Sequence, residues 1–492
     1  MTVAATEAGG GAPGSRRAGE QLQLVARTRV RDLLLGPAVP VVVVGTAAVV
    51  FLLQNLLDYL DYRSGAYDLG FFDQVVERTA QGHPFQTSFL GYSFLGQHWE
   101  PILGLWAGLD RLVATPVWLL AISTLALALT PVVAWRLARA WLGRSWAAPV
   151  AALACLADPL IGRGATFGYH SEALTPLLAL AALDGAARGH RWQFLLPALA
   201  LVAVKEDALL VAAGVGWIAW SVHGRRDALL LSAGMLAAFA VLIGVVMPAL
   251  RGGESGDLSG LYSYLGGTTP AAVAGGLLTH PQTALGHLVG GDALRGAAAA
   301  LLPLALLPLA AGRAALAFVP VLLIALLSAN PWQDQLLLHY GLEAFPLLLA
   351  CGLLGWKRLR SVRPLGEPAL AFSTLAALCA GYVLASPLPG GLHADAAPLA
   401  GLARHSAVEA VLAEVPIGAS VSASTGLVPH LSARDRIYEF PDRAGETEYV
   451  VLDKWGPRAA WTLPGWDRAA EDLPTDGYRL VAEAEGISLW AR

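Results

Sequence analysis

The sequence predicts an α-helical polytopic membrane protein that ends in a small extracytoplasmic α/β domain. Three observations predict it. Apolar runs of roughly 16–24 residues, long enough to cross ~30 Å of hydrocarbon, recur along most of the chain. The chain of 492 residues is 55% hydrophobic and only 14% charged, where a soluble domain carries about a quarter charged residues. Lys and Arg gather in alternate loops, the pattern that marks cytoplasmic loops.

The elements follow in order. Residues 1–33 are rich in Gly, Ala and Arg and read as a disordered cytoplasmic tail. The first apolar run begins too late and is too long for a cleavable signal peptide. Residues 34–388 read as a transmembrane domain of about eleven helices. Their expected limits are 37–57, 115–135, 146–161, 172–187, 192–204, 208–222, 228–250, 296–311, 314–329, 342–356 and 368–386. A further stretch, 101–112, is a candidate to dip into the membrane.

Arg136, Arg139 and Arg144, then Arg188 and Arg191, Arg225 and Arg226, Arg313, and finally Lys357, Arg358, Arg360 and Arg363 occupy every second loop. With Arg16, Arg17, Arg27, Arg29 and Arg31 in the tail, this places the N-terminus inside. An odd number of spans then places residues 389–492 outside. That segment is polar, with a helical pattern at 407–414. Short β-like runs follow at 419–424, 436–440, 449–453, 478–483 and 486–490, which is the signature of a small α/β domain.

Composition also excludes functions. A net charge of −4 gives no basic field for nucleic acid. Cys155, Cys351 and Cys379 all lie within apolar runs, so neither a disulfide framework nor a zinc cluster is indicated. The chain has no phosphate-binding Walker A loop, no dinucleotide fingerprint after a strand and no Gly-x-Ser-x-Gly nucleophile elbow.

The unusual polar residues fall on the outward side. The first outward loop, 58–100, is long. Its stretch Tyr67 to Glu77 places Leu69, Phe72, Val75 and Val76 at helical spacing, which suits a helix lying flat at the interface. Asp68 stands at its start, where a plain helix cap is the bland alternative to a catalytic carboxylate. Asp73 is the next acid. The loop closes on Gly96-Gln97-His98-Trp99-Glu100-Pro101. Trp99 alone would be an interfacial belt residue; His98 and Glu100 beside an apolar run say more. Tyr169-His170-Ser171-Glu172 opens the fourth span from outside, and His339, Tyr340 and Glu343 open the tenth. Lys205-Glu206-Asp207 lies between two apolar runs with almost no loop. Three ionisable groups at that depth are costly unless they pair or face a polar cavity; a hairpin tip wetted by solvent is the alternative. His98, His170 and Glu172 are candidate ligands for a divalent metal, since imidazole and carboxylate suit zinc or manganese.

Tyr67-Asp68-Leu69-Gly70-Phe71-Phe72-Asp73-Gln74 and Gly91-Tyr92-Ser93-Phe94-Leu95-Gly96-Gln97-His98-Trp99-Glu100-Pro101 resemble motifs of the DUF2079 family of bacterial membrane proteins. Gly168-Tyr169-His170-Ser171-Glu172, Lys205-Glu206-Asp207 and Val428-Pro429-His430-Leu431-Ser432 do so too. That family is similar to the GT-C superfamily of membrane glycosyltransferases. The resemblance implies a GT-C-like fold in a bacterial plasma membrane. It also implies transfer of a sugar from a polyprenyl-phosphate donor to an acceptor hydroxyl outside the cytoplasm, with Asp68 as base. Leu69 stands where the superfamily's second acid usually follows. The resemblance further suggests Lys205 and Arg163 as cations toward the leaving phosphate. Asp73, His98, Trp99, Glu100, Tyr169, His170, Glu172, Glu206, Asp207, His339 and Tyr340 are the other candidates for substrate contact. A transporter or flippase, which places its site near the midplane of repeated halves, and a non-catalytic scaffold are the competing readings.

Overall fold

The structure is a computed structural model that describes residue 29 and residues 31–110, 116–254, 258–362, 366–394, 401–458 and 463–492. Most of the expected N-terminal tail, the end of the 101–112 stretch, Arg363 and part of the 389–400 boundary lie outside these residues.

The protein is mostly helical. Four described helices are long and apolar enough to cross a membrane: Ala38–Leu60, Val117–Leu142, Arg226–Arg251 and Glu367–Ala385. A fifth crossing is available if Leu307–Ala317 and Val319–Leu326, bent by 97°, form one span. Along Ala38–Leu60 the buried residues Val43, Ala47, Phe51 and Asn55 recur at helical spacing. Val41, Val42, Val49 and Leu53 face outward. An exposed apolar stripe on a long helix whose backbone is internally satisfied suits lipid, not water.

Other apolar runs fold into shorter pieces, which is why a count of about eleven spans cannot be read directly from helix lengths. The run 146–161 divides at Asp158, whose carboxylate accepts from the Leu160 amide and starts a second helix at Pro159. The run 192–204 ends in a 3₁₀ turn, Leu201–Ala203. The run 296–311 breaks where Ala305 and Leu306 take positive φ. The helix Ala344–Val362 is continuous, but its last turns carry Lys357, Arg358 and Arg360.

The helix Phe71–Ala80 corrects one expectation. Leu69, Phe72, Val75 and Val76 are buried against Phe94, Leu103, Leu119 and Tyr169. The apolar face of the first outward loop is therefore covered by protein, including the helix Ile102–Asp110, and does not lie on lipid.

The C-terminal segment holds one five-stranded sheet: β1 (Val421–Ala423), β2 (Ile437–Glu439), β3 (Tyr449–Asp453), β4 (Arg479–Ala484) and β5 (Ile487–Ala491). The order is β2-β1-β3-β5-β4. β1 pairs parallel with β2 and β3, while β5 pairs antiparallel with β3 and β4. The helices His405–Leu412 and Leu463–Asp472 accompany it.

The Val428–Ser432 motif docks this domain on the first outward loop. The His430 ring stacks on Tyr59 at 4.2 Å. The Ser432 hydroxyl donates to the Asp73 carboxylate at 2.6 Å. Gln74 donates to the Arg434 carbonyl at 2.9 Å. Tyr62 donates to Glu409 at 2.8 Å. A sequence that is helical and apolar on one side of Phe71–Ala80 is thus polar on the other because a second domain hydrogen-bonds there.

Candidate functional site

Asp68 lies in a π-helical turn, Ala66–Gly70, that leads into Phe71–Ala80. Single π turns are rare and occur often at functional sites. Gly65 and Gly70, which precede these two helical segments, offer no side-chain cap, while the Asp68 carboxylate reaches back toward Gly65. It passes over Gly65, where any Cβ would collide with it. From there it lines an open cavity of about 310 Å³ with Gln54, Asp58, Arg63, Phe167 and His393. Arg63 in this cavity is ion-paired with Asp58.

The wall of this cavity is a stack of rings. Gly168, at φ 71, makes the left-handed turn that carries the chain from Phe167 to His170. The His170 ring lies flat on Phe167 at 5.3 Å and on His339 at 3.8 Å. His170 Nε2 is 3.4 Å from Asp68 Oδ1. His339 is delivered by a tight loop in which Leu336 and Leu338 both hold positive φ, a strained choice for branched side chains.

Behind the stack lies a second, less open cavity of about 240 Å³. Its ionisable lining is His98, Glu172, Lys205, Glu206, Asp207, His339 and Glu343, with Gln97, Asn330, Gln333 and Tyr340 beside them. Lys205 forms an ion pair with Glu172. His339 Nε2 sits 3.6 Å from the same carboxylate. Glu206 takes the His98 ring at 3.0 Å and the Trp99 amide at 2.8 Å. Asp207 precedes the helix Ala208–His223 without capping it, so its carboxylate is left to the cavity.

Glu100 is fully buried nearby, and neither of its oxygens has a hydrogen bond of good geometry. Burial, then the Glu172 carboxylate, pushes it up to about 8. Burial and then Glu206 push Asp207 up to about 7. His98 is raised by the Glu206 carboxylate against the opposing effect of burial. The cavity thus surrounds a single lysine with an excess of acids.

The structure brings Asp68, His98, His170, Glu172, Lys205, Glu206, Asp207, His339 and Tyr340 to the two sides of one ring stack. It places four candidates elsewhere. Asp73 faces the C-terminal domain through Ser432. Tyr169 is completely buried, held by Trp106 at 2.8 Å and Ser171 at 3.0 Å, so it offers no face to a sugar. Arg163 donates to the carbonyls of Ala385 and Leu336 and lines neither cavity. Trp99 packs beside the site, its indole nitrogen donating to Val202 at 3.1 Å.

His170, Glu172 and His339 form the one candidate metal group among the described residues, their ligand atoms within 4.8 Å of one another. His98 is engaged by Glu206 instead, so His339 takes the place that residue chemistry alone gives to His98. Three buried atoms of the group have no hydrogen-bond partner among the described residues: His170 Nε2, His339 Nδ1 and Glu172 Oε2. Two imidazoles and a carboxylate with orphaned donor atoms fit a zinc- or manganese-like ion.

Sequence reasoning did not single out Asn330 and Gln333, or Asp58, Arg63 and His393. The signal for the first pair was the polar run from Asn330 to Gln335 at the end of an apolar stretch. The others lie at the mouths of the first and last long helices.

The sequence profile of DUF2079, described as a predicted membrane protein, matches residues 59–489. The chain belongs to this family and is a membrane protein. No curated protein matches it. The crystal structure of ArnT from Cupriavidus metallidurans in the apo state is similar to it at 13% identity and a TM-score of 0.49, over 92% of this chain and 97% of that one.

Proposed function

We propose that this DUF2079 protein is a GT-C-like membrane glycosyltransferase that moves a sugar from a polyprenyl-phosphate donor to an acceptor hydroxyl outside the cytoplasm. The observation that carries the proposal is the placement of Asp68. Its carboxylate stands in an open cavity and lies against the ring stack that borders the Glu172–Lys205 pair. The topology adopted is that of the loop charges: about eleven crossings in a bacterial plasma membrane, N-terminus inside.

The reaction is an inverting displacement. Asp68 accepts the proton of the acceptor hydroxyl as its oxygen bonds to the anomeric carbon. The bond from that carbon to the phosphate oxygen breaks, and the lipid phosphate leaves with the electron pair. His170, whose Nε2 stands 3.4 Å from Asp68 Oδ1, borders the carboxylate. The apolar helix faces receive the prenyl chain.

The leaving phosphate needs positive charge. Lys205 does not supply it freely, because Glu172 already holds the ammonium and Glu206, Asp207 and Glu343 stand around it. A divalent ion held by His170, Glu172 and His339 would neutralise phosphate charge. In this reading Lys205 keeps Glu172 ionised and in position to bind such an ion.

The acid excess of the second cavity favours one alternative, a carrier coupled to a cation. One experiment separates the two. Purified protein in proteoliposomes is given radiolabelled polyprenyl-phosphate hexoses and pentoses with a cell-envelope extract as acceptor. The proposal expects label to move from the prenyl phosphate to the acceptor. Passage of intact labelled lipid or cation across the bilayer, with no cleavage of the sugar bond, would reject it.

A further inference from the structure

Two helices of the site lead away from it to a second, oppositely charged pocket. Ala208–His223 begins beside Asp207 and ends at Ser221 to His223. The helix Ala344–Val362 begins beside Glu343 and carries Lys357 and Arg358 near its end. Fourteen residues of α-helix separate the ends by roughly 20 Å. There Arg313, Lys357, Arg358 and Ser221 line an open cavity of about 380 Å³ whose lining contains no Asp or Glu. A cluster that merely followed the positive-inside bias would splay into solvent. This one is built.

Arg313 is held on three sides. Its guanidinium lies over the Trp220 ring at 5.0 Å and donates to the Ser221 carbonyl at 2.6 Å. Its own carbonyl accepts from the Trp217 indole at 2.8 Å. Gly312, at φ 67, has no Cβ, and a Cβ there would strike the Arg358 guanidinium. The Arg358 guanidinium thus lies against this turn. The Ser221 hydroxyl is buried and has no hydrogen-bond partner among the described residues. Leu309 and Leu316, on the same bent segment as Arg313, are more than half exposed.

We infer that this pocket binds the phosphodiester headgroup of an anionic membrane lipid, in the leaflet opposite the proposed active site. The held Arg313 guanidinium, the Arg358 guanidinium beside it, an ammonium and a spare hydroxyl match phosphate oxygens. The exposed leucines give the acyl chains a surface, and the tryptophans suit the headgroup level. A free phosphate would gain nothing from those leucines. The assignment does not depend on Asp68 being a base.

The test uses full-length protein in mixed micelles, with bound lipid counted by native mass spectrometry. Phosphatidylglycerol is compared with phosphatidylcholine, and inorganic phosphate is added as competitor. The triple variant R313Q/K357Q/R358Q is compared with a control, R139Q/R144Q, that removes cations from another loop. The expected result is preferential retention of phosphatidylglycerol. The triple variant should reduce it by at least about tenfold, while the control and millimolar phosphate leave it unchanged. Equal retention of the two lipids, or equal loss in triple and control variants, would overturn the site. Displacement by inorganic phosphate would overturn its assignment to a lipid. Because all three side chains are exposed, the triple variant should melt within a few degrees of wild type; a collapsed melt moves the same comparison to each single variant, where the loss must still exceed that of the control.

Discussion

The two cavities beside the His170–His339 stack share a wall and differ in nearly everything else. The Asp68 cavity is open, and its cation, Arg63, is paired with Asp58 at its edge. Asp68 itself is a quarter exposed. The second cavity is more enclosed and crowds acids around one lysine, with Glu172 almost wholly buried. A base that must meet a succession of acceptors needs access. A group that holds charge for others needs fixed partners and little water. Changes on the two sides should therefore fail in different ways: in activity on the open side, in stability and ion binding on the closed side.

The largest stability effect belongs to Lys205. Lys205→Ala leaves Glu172 buried without its ion-pair partner, and losing one partner of a buried pair costs about 3–5 kcal/mol. Thermal unfolding in detergent should show a clear drop in midpoint. A midpoint unchanged from wild type would mean that the closed cavity is well hydrated and that the contrast is false.

His339→Ala comes next. It removes one of the three candidate metal donors without removing the lysine pair. Metal content after dialysis against zinc or manganese should reveal a divalent ion in the wild type. The variant's apparent affinity should be weaker by at least about tenfold, since even indirect partners of a metal are worth that much. Equal metal content in both proteins would remove the ion from the account.

The effect confined to a pH window is that of Glu100→Gln. Burial and Glu172 raise this carboxyl to about 8, so the folded protein holds a proton that the unfolded chain has released. Its contribution to stability is complete below the ordinary glutamate value of about 4.5. It declines as pH rises toward 8 and is gone above that. Gln mimics the protonated acid and cannot titrate. The variant should show a flatter stability curve across this window, and parallel curves would show that Glu100 ionises normally.

Much of the fold was legible where one physical rule acts alone. The long apolar helices Ala38–Leu60 and Glu367–Ala385 stand close to the runs 37–57 and 368–386, because hydropathy and helical length coincide there. The five strands fall within a residue or two of the β-like runs. The run 146–161 misled because hydropathy averages over Asp158, whereas the backbone responds to Asp158 and Pro159 individually.

Within the site, the sequence showed the polar clusters but not their contacts with each other. The Glu172–Lys205 pair and the His170–His339 stack join residues far apart in the chain, and no local rule carries that information. Asp73 was separable in principle. Five residues from Asp68, it lies roughly 140° around a helix, which sends it toward Ser432. Tyr169 was misjudged for a different reason. An aromatic at a membrane boundary suits a sugar face and a hydrophobic core equally well, and only packing decides.

The central claim is that Asp68 is the base of a sugar transfer served by both cavities. Single-turnover transfer from a labelled polyprenyl-phosphate sugar, measured for wild type and Asp68→Asn in matched proteoliposomes, tests it most directly. Asn preserves shape but cannot take the proton. The account predicts a fall of about a hundredfold or more in the transfer rate, with an unfolding midpoint near that of wild type. A variant that folds normally and transfers sugar at the wild-type rate would contradict it.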